Sequence, residues 1–420
     1  MNQFTRSFAV LVLGVLSAPA LSQGRFNQNI MPLGDKEALM ANTGTGGHGS
    51  SGAVYYNPAA LTELEGSSFS FSGNAYFSFD FKADPLVTLG NDELDFEGAG
   101  YRSLPSSMIG TRSFGDWVVA FSLLVPYHFN YEGKNDWIIN SPSNPYIITI
   151  TQDYREEYFL GGLSAAKKLG NGWSLGLTLT GQYYYSLFTT GSNGYFISDP
   201  TIASISQSRQ TLESYTFFGV VGIQKKWEDF ALGLRVSSPS IRLEGSGDYY
   251  QYSYINDGSS PPTSSVLDLV GKKVHQKNPM DFRLGFSYQV SKKIFWAMDV
   301  AYAMEVTHDY YEGEAPVDPV SPENIRISTG LNATIKEDID SYFGISYNPY
   351  KEVVNGEERQ QSLVSVSGGS RLKIANSVNT IGLFYAVSGL ESAARIGSED
   401  SIQYQSYFGV SVGTTVQLDK

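Results

Sequence analysis

Apolar and polar side chains alternate along most of this chain, in fourteen stretches separated by turn residues. Successive side chains of a strand face opposite ways, so each stretch offers one apolar face and one polar or small face. Phe230, Leu232, Leu234 and Val236 stand opposite Ala231, Gly233, Arg235 and Ser237. Trp173, Leu175, Leu177 and Leu179 stand opposite Ser174, Gly176, Thr178, Thr180 and Gln182, and Phe282, Leu284, Phe286, Tyr288 and Val290 opposite Arg283, Gly285, Ser287 and Gln289. Such strands suit a closed sheet with lipid outside and a lumen within.

Bounded by turn residues, the strands are predicted near 67–82, 104–114, 117–131, 153–169, 173–189, 208–227, 230–246, 278–290, 294–311, 324–336, 339–350, 361–373, 377–389 and 402–418. Short connections such as Gly115-Asp116, Gly170-Asn171-Gly172 and Glu228-Asp229 then alternate with long ones at 83–103, 132–152, 190–207, 247–277, 312–323, 351–360 and 390–401. This alternation predicts an all-β fold: a transmembrane antiparallel β-barrel of about fourteen strands with periplasmic turns and extracellular loops. An even strand number places both termini in the periplasm. Trp117, Trp173, Trp227, Phe230 and Trp296 flank short turns, as an interfacial aromatic belt requires.

The ends of the chain set the domain limits. Arg6, the apolar run from Phe8 to Leu16 and the small residues Ala18-Pro19-Ala20 read as an export signal over 1–20, too short to span a bilayer. Residues 21–66 are rich in Gly, Ser, Asn and Thr and carry no strand period, so they are either a disordered tail or a segment folded into the lumen. The barrel occupies 67–420. No later apolar run approaches the length of a membrane-spanning helix.

Composition narrows the chemistry. With no cysteine there is no disulfide framework and no thiolate nucleophile or metal ligand. The net charge of −13 argues against nucleic acid as a partner. The 14% aromatic content and 43 glycines fit interface girdles and close-packed lumen positions. An enzyme would need a general base, and only His48, His128, His275 and His308 are available, none at ligand spacing or in a legible triad. Neither a catalytic site nor a metal site nor a cofactor is expected. Gly44-Thr45-Gly46-Gly47-His48-Gly49 lacks the Gly-Lys-Ser/Thr ending of a phosphate loop and reads as a flexible turn.

Residues ahead of the first strand carry a resemblance. Pro32-Leu33-Gly34-Asp35, Ala38 to Gly47, and Gly52-Ala53-Val54-Tyr55-Tyr56-Asn57-Pro58-Ala59-Ala60-Leu61 resemble the N-terminal hatch of the outer-membrane long-chain fatty acid and aromatic hydrocarbon transporters, the FadL/TodX-like family. Asn57, Pro58 and Ala59 match its hatch signature residue for residue. The resemblance implies a fourteen-stranded monomer with a hatch in its lumen, passing hydrophobic small molecules down their gradient. It also implies a kink in the third strand that opens the barrel sideways to outer-membrane lipid. The chain departs from many outer-membrane barrels in ending Val416-Gln417-Leu418-Asp419-Lys420, without a terminal aromatic.

Several inward positions bear on that function. Val118, Ala120, Leu124, Phe295, Ala297 and Ala301 are apolar where a general diffusion porin would be wet, and they contact either cargo or the hatch. Arg235, Arg283 and Arg326 also face inward, available to a cargo carboxylate or, as the better expectation, to lumen ion pairs with Asp299 or Asp340. Pro126 in the third strand donates no ladder hydrogen bond, so it marks either a bulge or a lateral opening rimmed by Leu124 and Tyr127. The Tyr-rich stretch 248–254 leaves a surface adhesin or receptor as the alternative outside transport.

Overall fold

The computed structural model describes residues 33–418, apart from 90–91, 140–144, 312–313, 315–319, 355–356, 389–392 and 396–399. The predicted signal at 1–20 and residues 21–32 lie outside the described part. In chain order the first strands are β1 (Ser67–Leu89), β2 (Asp92–Phe114), β3 (Trp117–Ile139), β4 (Tyr146–Gly170), β5 (Trp173–Phe196) and β6 (Ala203–Lys226). There follow β7 (Phe230–Ser237), β8 (Ile241–Asn256), β9 (Thr263–Lys273), β10 (Asp281–Ser291), β11 (Ile294–Ala303) and the short pair β12 (Val306–Thr307) and β13 (Val320–Ser321). The last are β14 (Asn324–Lys336), β15 (Ile339–Val354), β16 (Glu357–Ile374), β17 (Ser377–Ser388), β18 (Ala393–Arg395) and β19 (Asp400–Gln417).

Fourteen of these are staves of one closed antiparallel barrel, running β1 to β7, then β10, β11, β14 to β17 and β19. Closure is made by β1, whose Phe71 pairs with Met108 of β2 on one side and with Thr414 of β19 on the other. Closure gives each of the fourteen staves a partner on both sides, the condition for a sheet to sit in hydrocarbon.

The period-two sequence pattern maps onto the two faces of this wall. Trp173, Leu175, Leu177 and Leu179 are exposed outward, while Ser174, Thr178, Thr180 and Gln182 are buried inward. Trp117, Val119, Phe121 and Leu123 are outward against Val118, Ala120, Ser122 and Leu124 inward. The short turns are tight: at Gly170-Asn171-Gly172 all three residues take positive φ, and a Cβ on Gly172 would fall 2.0 Å from the Lys226 carbonyl oxygen.

Two expectations need correction. The stretches expected as long loops at 83–103, 132–152, 190–207, 247–277 and 351–360 are largely strand, because the flanking strands continue past a bilayer's thickness and β8 and β9 form a hairpin within 247–277. The stretch 230–246 is not one strand. It breaks at Ser238-Pro239-Ser240, where proline cannot donate to a ladder. Below the break β6 pairs with β7 and β7 with β10; above it β6 pairs with β8 and β8 with β9. The Tyr-rich stretch 248–254 is therefore strand, with Tyr249 buried against Tyr311.

The lumen is filled in two layers. Residues 33–66 lie inside the barrel towards the short-turn end, as helix α1 (Lys36–Leu39), helix α2 (Ala53–Tyr56) and a 3₁₀ turn (Pro58–Glu63) joined by loops. Above them an aromatic cluster, including Phe79, Phe96, Phe129, Tyr131, Tyr154 and Tyr158, packs between the strand extensions.

The lower layer fits because the wall is hollowed by glycine. Gly176 faces Gly222 across β5 and β6, Gly233 faces Gly285, Gly330 faces Gly344, and Gly369 faces Gly382. A Cβ on these residues would lie 2.3 Å from the Pro58 carbonyl carbon at Gly176, 1.9 Å from Thr45 O at Gly233, 2.3 Å from the Met40 carbonyl carbon at Gly344 and 2.1 Å from Leu39 Cδ2 at Gly382. Gly233→Ala is expected to displace residues 33–66 while the barrel persists, at a cost of roughly 1–3 kcal/mol typical of overpacking. Proteolysis of the N-terminal segment alongside heat-modifiable gel mobility of the barrel checks this. Gly219→Ala, whose Cβ meets nothing within 4 Å, should change neither readout.

Candidate functional site

The N-terminal segment is held by a small number of polar contacts. Asn57 caps the 3₁₀ turn: its Oδ1 accepts from Ala59 N at 3.1 Å, while its Nδ2 donates to Thr45 O at 2.8 Å and Ile223 O at 3.3 Å. Pro58 opens that turn with its preset φ, and both Pro58 and Ala59 lie over Gly176 and Gly222 of the wall. The Asn57, Pro58 and Ala59 motif is thus the point where the segment turns against β5 and β6.

A second anchor comes from β11. The Asp299 carboxylate accepts from Gly44 N at 2.8 Å, Thr45 N at 2.9 Å and Thr45 Oγ1 at 2.8 Å. Gln224 Nε2 donates to Gly46 O at 2.8 Å, and Ser287 Oγ to the same oxygen at 3.3 Å. The Gly44–Gly49 turn is therefore a pinned element of the lumen filling.

The third anchor is acidic. Ser50 Oγ lies 2.8 Å from both Asp35 Oδ1 and Glu37 Oε2. A hydroxyl has one proton, so it donates to Asp35 while a protonated Glu37 donates to it. Burial, reinforced by the neighbouring Asp35 charge, pushes Glu37 up to about 8. Its carboxyl is enclosed by Gly34 and Gly52, where a Cβ would come within 2.7 Å and 2.6 Å of Glu37 Oε2.

Between this segment and the aromatic layer is a narrow cavity of ≈ 80 Å³ lined by Tyr55, Pro126, Tyr127, Leu160, Gln182, Arg235, Arg283 and Arg326 among others. All three arginines are buried. Arg235 pairs with Asp281, and Arg283 Nε lies 3.5 Å from Asp281 Oδ2. This corrects the expected partners of these two: Asp299 is engaged by Gly44 and Thr45, and Asp340 faces Arg371 at 3.9 Å. Asp281 begins a strand opposite Ser237, in a register that only pairing defines. The guanidiniums of Arg235 and Arg283 stack on Tyr55 at 5.5 and 5.1 Å.

Other inward apolar residues have a different place. Val118 and Ala120 pack with Ala53, Val54, Ala60 and Leu61 of the segment, and Ala297 packs with Leu39 and Met40. Phe295 sits 5.1 Å from the His48 ring, in a second cavity at the short-turn end.

The wall is irregular at Pro126. On the β4 side, Leu124 pairs with Leu160 but Tyr127 with Tyr158, so β3 carries one extra residue, a bulge that switches its buried parity from Leu124 to Tyr127, Phe129 and Tyr131. On the β2 side the ladder stops at Ser107↔Leu124 and resumes at Ala99↔Glu132. Among the described residues no cross-strand pair joins 100–106 to 125–131. Pro105 lies in the same stretch of β2, so each strand lacks one donor there. Outside the interruption is an apolar groove of ≈ 620 Å³ lined by Pro105, Met108, Leu123, Leu124, Val125, Phe159 and others. Leu160 and Gln182 line both this groove and the lumen cavity.

The histidines are dispersed through these layers: His48 Nε2 is bonded to Thr43 O at 2.7 Å, and His308 Nε2 to Ser321 Oγ at 2.8 Å. Among the described residues, no group of three or more His, Cys, Asp or Glu is arranged to hold a metal ion.

Neither a family profile nor a curated protein matches the sequence. Solved structures match the fold. The toluene transporter TodX of P. putida superposes with a TM-score of 0.66 at 12% identity, covering 93% of this chain and 100% of that one. A Pseudomonas aeruginosa FadL homologue gives 0.63 at 14% identity, over 92% and 100% of the two chains. The toluene transporter TbuX of Ralstonia pickettii gives 0.59 at 11%, over 93% and 100%. The chain has the FadL/TodX-like barrel fold.

Glu37 generates a pH prediction. A carboxyl whose folded-state pKa is raised favours folding below its ordinary value of 4.5 and loses that contribution as pH rises through about 8. Protection of residues 33–66 from protease should therefore decline from pH 6 to pH 9. In Glu37→Gln the decline should be absent or much reduced, and an unchanged pH profile in that variant would refute the shared-proton arrangement.

Proposed function

We propose that this chain is a monomeric outer-membrane channel for passive uptake of hydrophobic small molecules, long-chain fatty acids or related apolar compounds. Residues 21–66 act as its hatch, and the interruption at Pro126 is a lateral opening to membrane lipid. The observation that carries the reading is the shared lining: Leu160 and Gln182 border both the lumen cavity and the apolar groove outside the wall. An apolar solute leaving the lumen here meets hydrocarbon and not water, so transfer follows its partition preference. The outward apolar band and the transporters and channels that share the fold support an outer-membrane site and a non-catalytic role. In that setting the short turns and both termini are periplasmic.

The lumen filling favours this reading over a hydrophilic porin. Residues 33–66 occupy the lower lumen and the aromatic cluster the upper, leaving little room for a wide aqueous path. Arg235, Arg283 and Arg326 line the cavity where a polar head on an apolar cargo would rest. Phe295, Val118 and Ala120 serve the route indirectly, by seating the hatch.

Pro126→Val supplies the missing donor and is expected to slow uptake of a long-chain fatty acid several-fold, with barrel stability level or raised. Initial rates in cells with matched amounts of inserted protein measure it, and normal uptake by a stably inserted variant would assign Pro126 to a bulge alone. Deleting residues 24–54 should leave a folded barrel that has lost selective uptake or conducts ions in planar bilayers. A deletion variant with wild-type uptake and no added conductance would reject the hatch.

A further inference from the structure

Where the β2–β3 ladder is interrupted, side chains take over the connection. Arg102 of β2 lies within the unpaired stretch and its Nη1 reaches Glu157 Oε1 of β4 at 2.6 Å and His128 Nε2 of β3 at 2.5 Å. The same Nη1 lies 3.3 Å from His128 Nδ1, and because arginine only donates, the imidazole takes part as acceptor, with Glu157 Oε1 3.2 Å from its Nδ1. Arg155 completes the cluster from β4, its Nε donating to Glu157 Oε1 at 2.8 Å while its guanidinium stacks on Tyr185 at 5.5 Å. Glu157 and His128 are almost wholly buried, with 7% and 1% of their side chains exposed.

The cluster is asymmetric. Glu157, His128 and Arg155 belong to the β3 and β4 side and stay together if β2 moves. Arg102 is the member contributed by β2. Its chain neighbour Tyr101 is tied the other way, its ring 4.8 Å from Tyr76 of β1, which in turn contacts Phe408 of β19. The strands regain close contact above, where a Cβ on Gly100 would lie 1.7 Å from Asn130 O. The unpaired stretch is thus bounded by backbone pairing below at Ser107↔Leu124 and by close packing above, with Arg102 in between.

We propose that Arg102 is a latch across the lateral opening, holding the wall shut through Glu157 and His128 and releasing it when β2 swings outward. This inference rests on the lateral route proposed above. Such a contact suits a gate, because a charge-assisted side-chain bond breaks and reforms without unzipping the ladder, whereas prolines 105 and 126 limit reclosure by backbone pairing. Breaking the latch raises the population of the open wall, and covalent replacement of it abolishes opening.

The absence of cysteine makes the test direct, since introduced thiols are the only ones present. Arg102→Ala is expected to raise the initial uptake of an uncharged aromatic hydrocarbon up to about tenfold, the worth of one partly exposed charge-assisted hydrogen bond. It should also speed labelling of Leu124→Cys by a lipid-soluble maleimide in reconstituted vesicles. Arg102→Cys combined with Glu157→Cys, bridged by a short bifunctional thiosulfonate after insertion, should block uptake until reductant is added. Unchanged labelling in Arg102→Ala, or normal uptake by the bridged protein, overturns the latch. The labelling arm reads the wall itself, so it decides the latch even if the hydrocarbon is not a cargo. Failure of the lateral route is read separately, from Pro126→Val.

Discussion

Close contact between the inner wall and residues 33–66 is the constraint on which the rest of the molecule depends. The staves β5, β6, β7, β10, β14, β15, β16 and β17 each withhold a side chain where the segment touches them, as four directly opposed glycine pairs. A wide barrel lined with ordinary side chains would leave either a pore or a clash. Glycine costs a strand stability in isolation, and here that loss is offset by the backbone of the segment packing directly on backbone of the wall. Asp299, Gln224 and Asn57 then fix the segment's orientation through hydrogen bonds that water cannot reach.

With the lower lumen occupied, the upper lumen is free to be apolar. The aromatic cluster forms between strand extensions that rise beyond a bilayer, and its tyrosines direct their hydroxyls to buried acceptors: Tyr154 and Tyr158 to Glu156, and Tyr131 to Gln152. The arginine-lined cavity sits where the two layers meet. It borders the one place on β2 and β3 where two prolines and a bulge coincide. The wall's irregularity and the cavity therefore lie at the same level of the barrel, where the two layers meet.

The strand pattern, the short turns and the interfacial tryptophans follow from local rules: period-two alternation, glycine and asparagine in left-handed turns, and aromatic rings beside them. Those rules act within a few residues, so the closed barrel was legible in the sequence. So was Asn57-Pro58-Ala59 as a turn, because a cap and a proline are local devices, and so was the missing donor at Pro126.

What tertiary structure decided are matters of register and depth. Which carboxylate meets Arg235 depends on β10 pairing with β7 at Asp281↔Ser237, and a one-residue slip would have turned every partner to the other face. The break at Pro239 is marked in the sequence by Ser238-Pro239-Ser240 and by a shift of the apolar positions from Leu232, Leu234 and Val236 to Ile241 and Leu243, but that it hands the upper half of β6 to β8 is decided only by pairing. The meeting of Arg102 with Glu157 joins residues fifty-five positions apart across strands whose backbones do not pair there. Sequence by itself determined that a lipid-facing barrel forms, because lipid contact is written into every second residue. Only the folded chain decided which side chains share the lumen and where the wall is weak, because those depend on distances between strands and no single strand contains them.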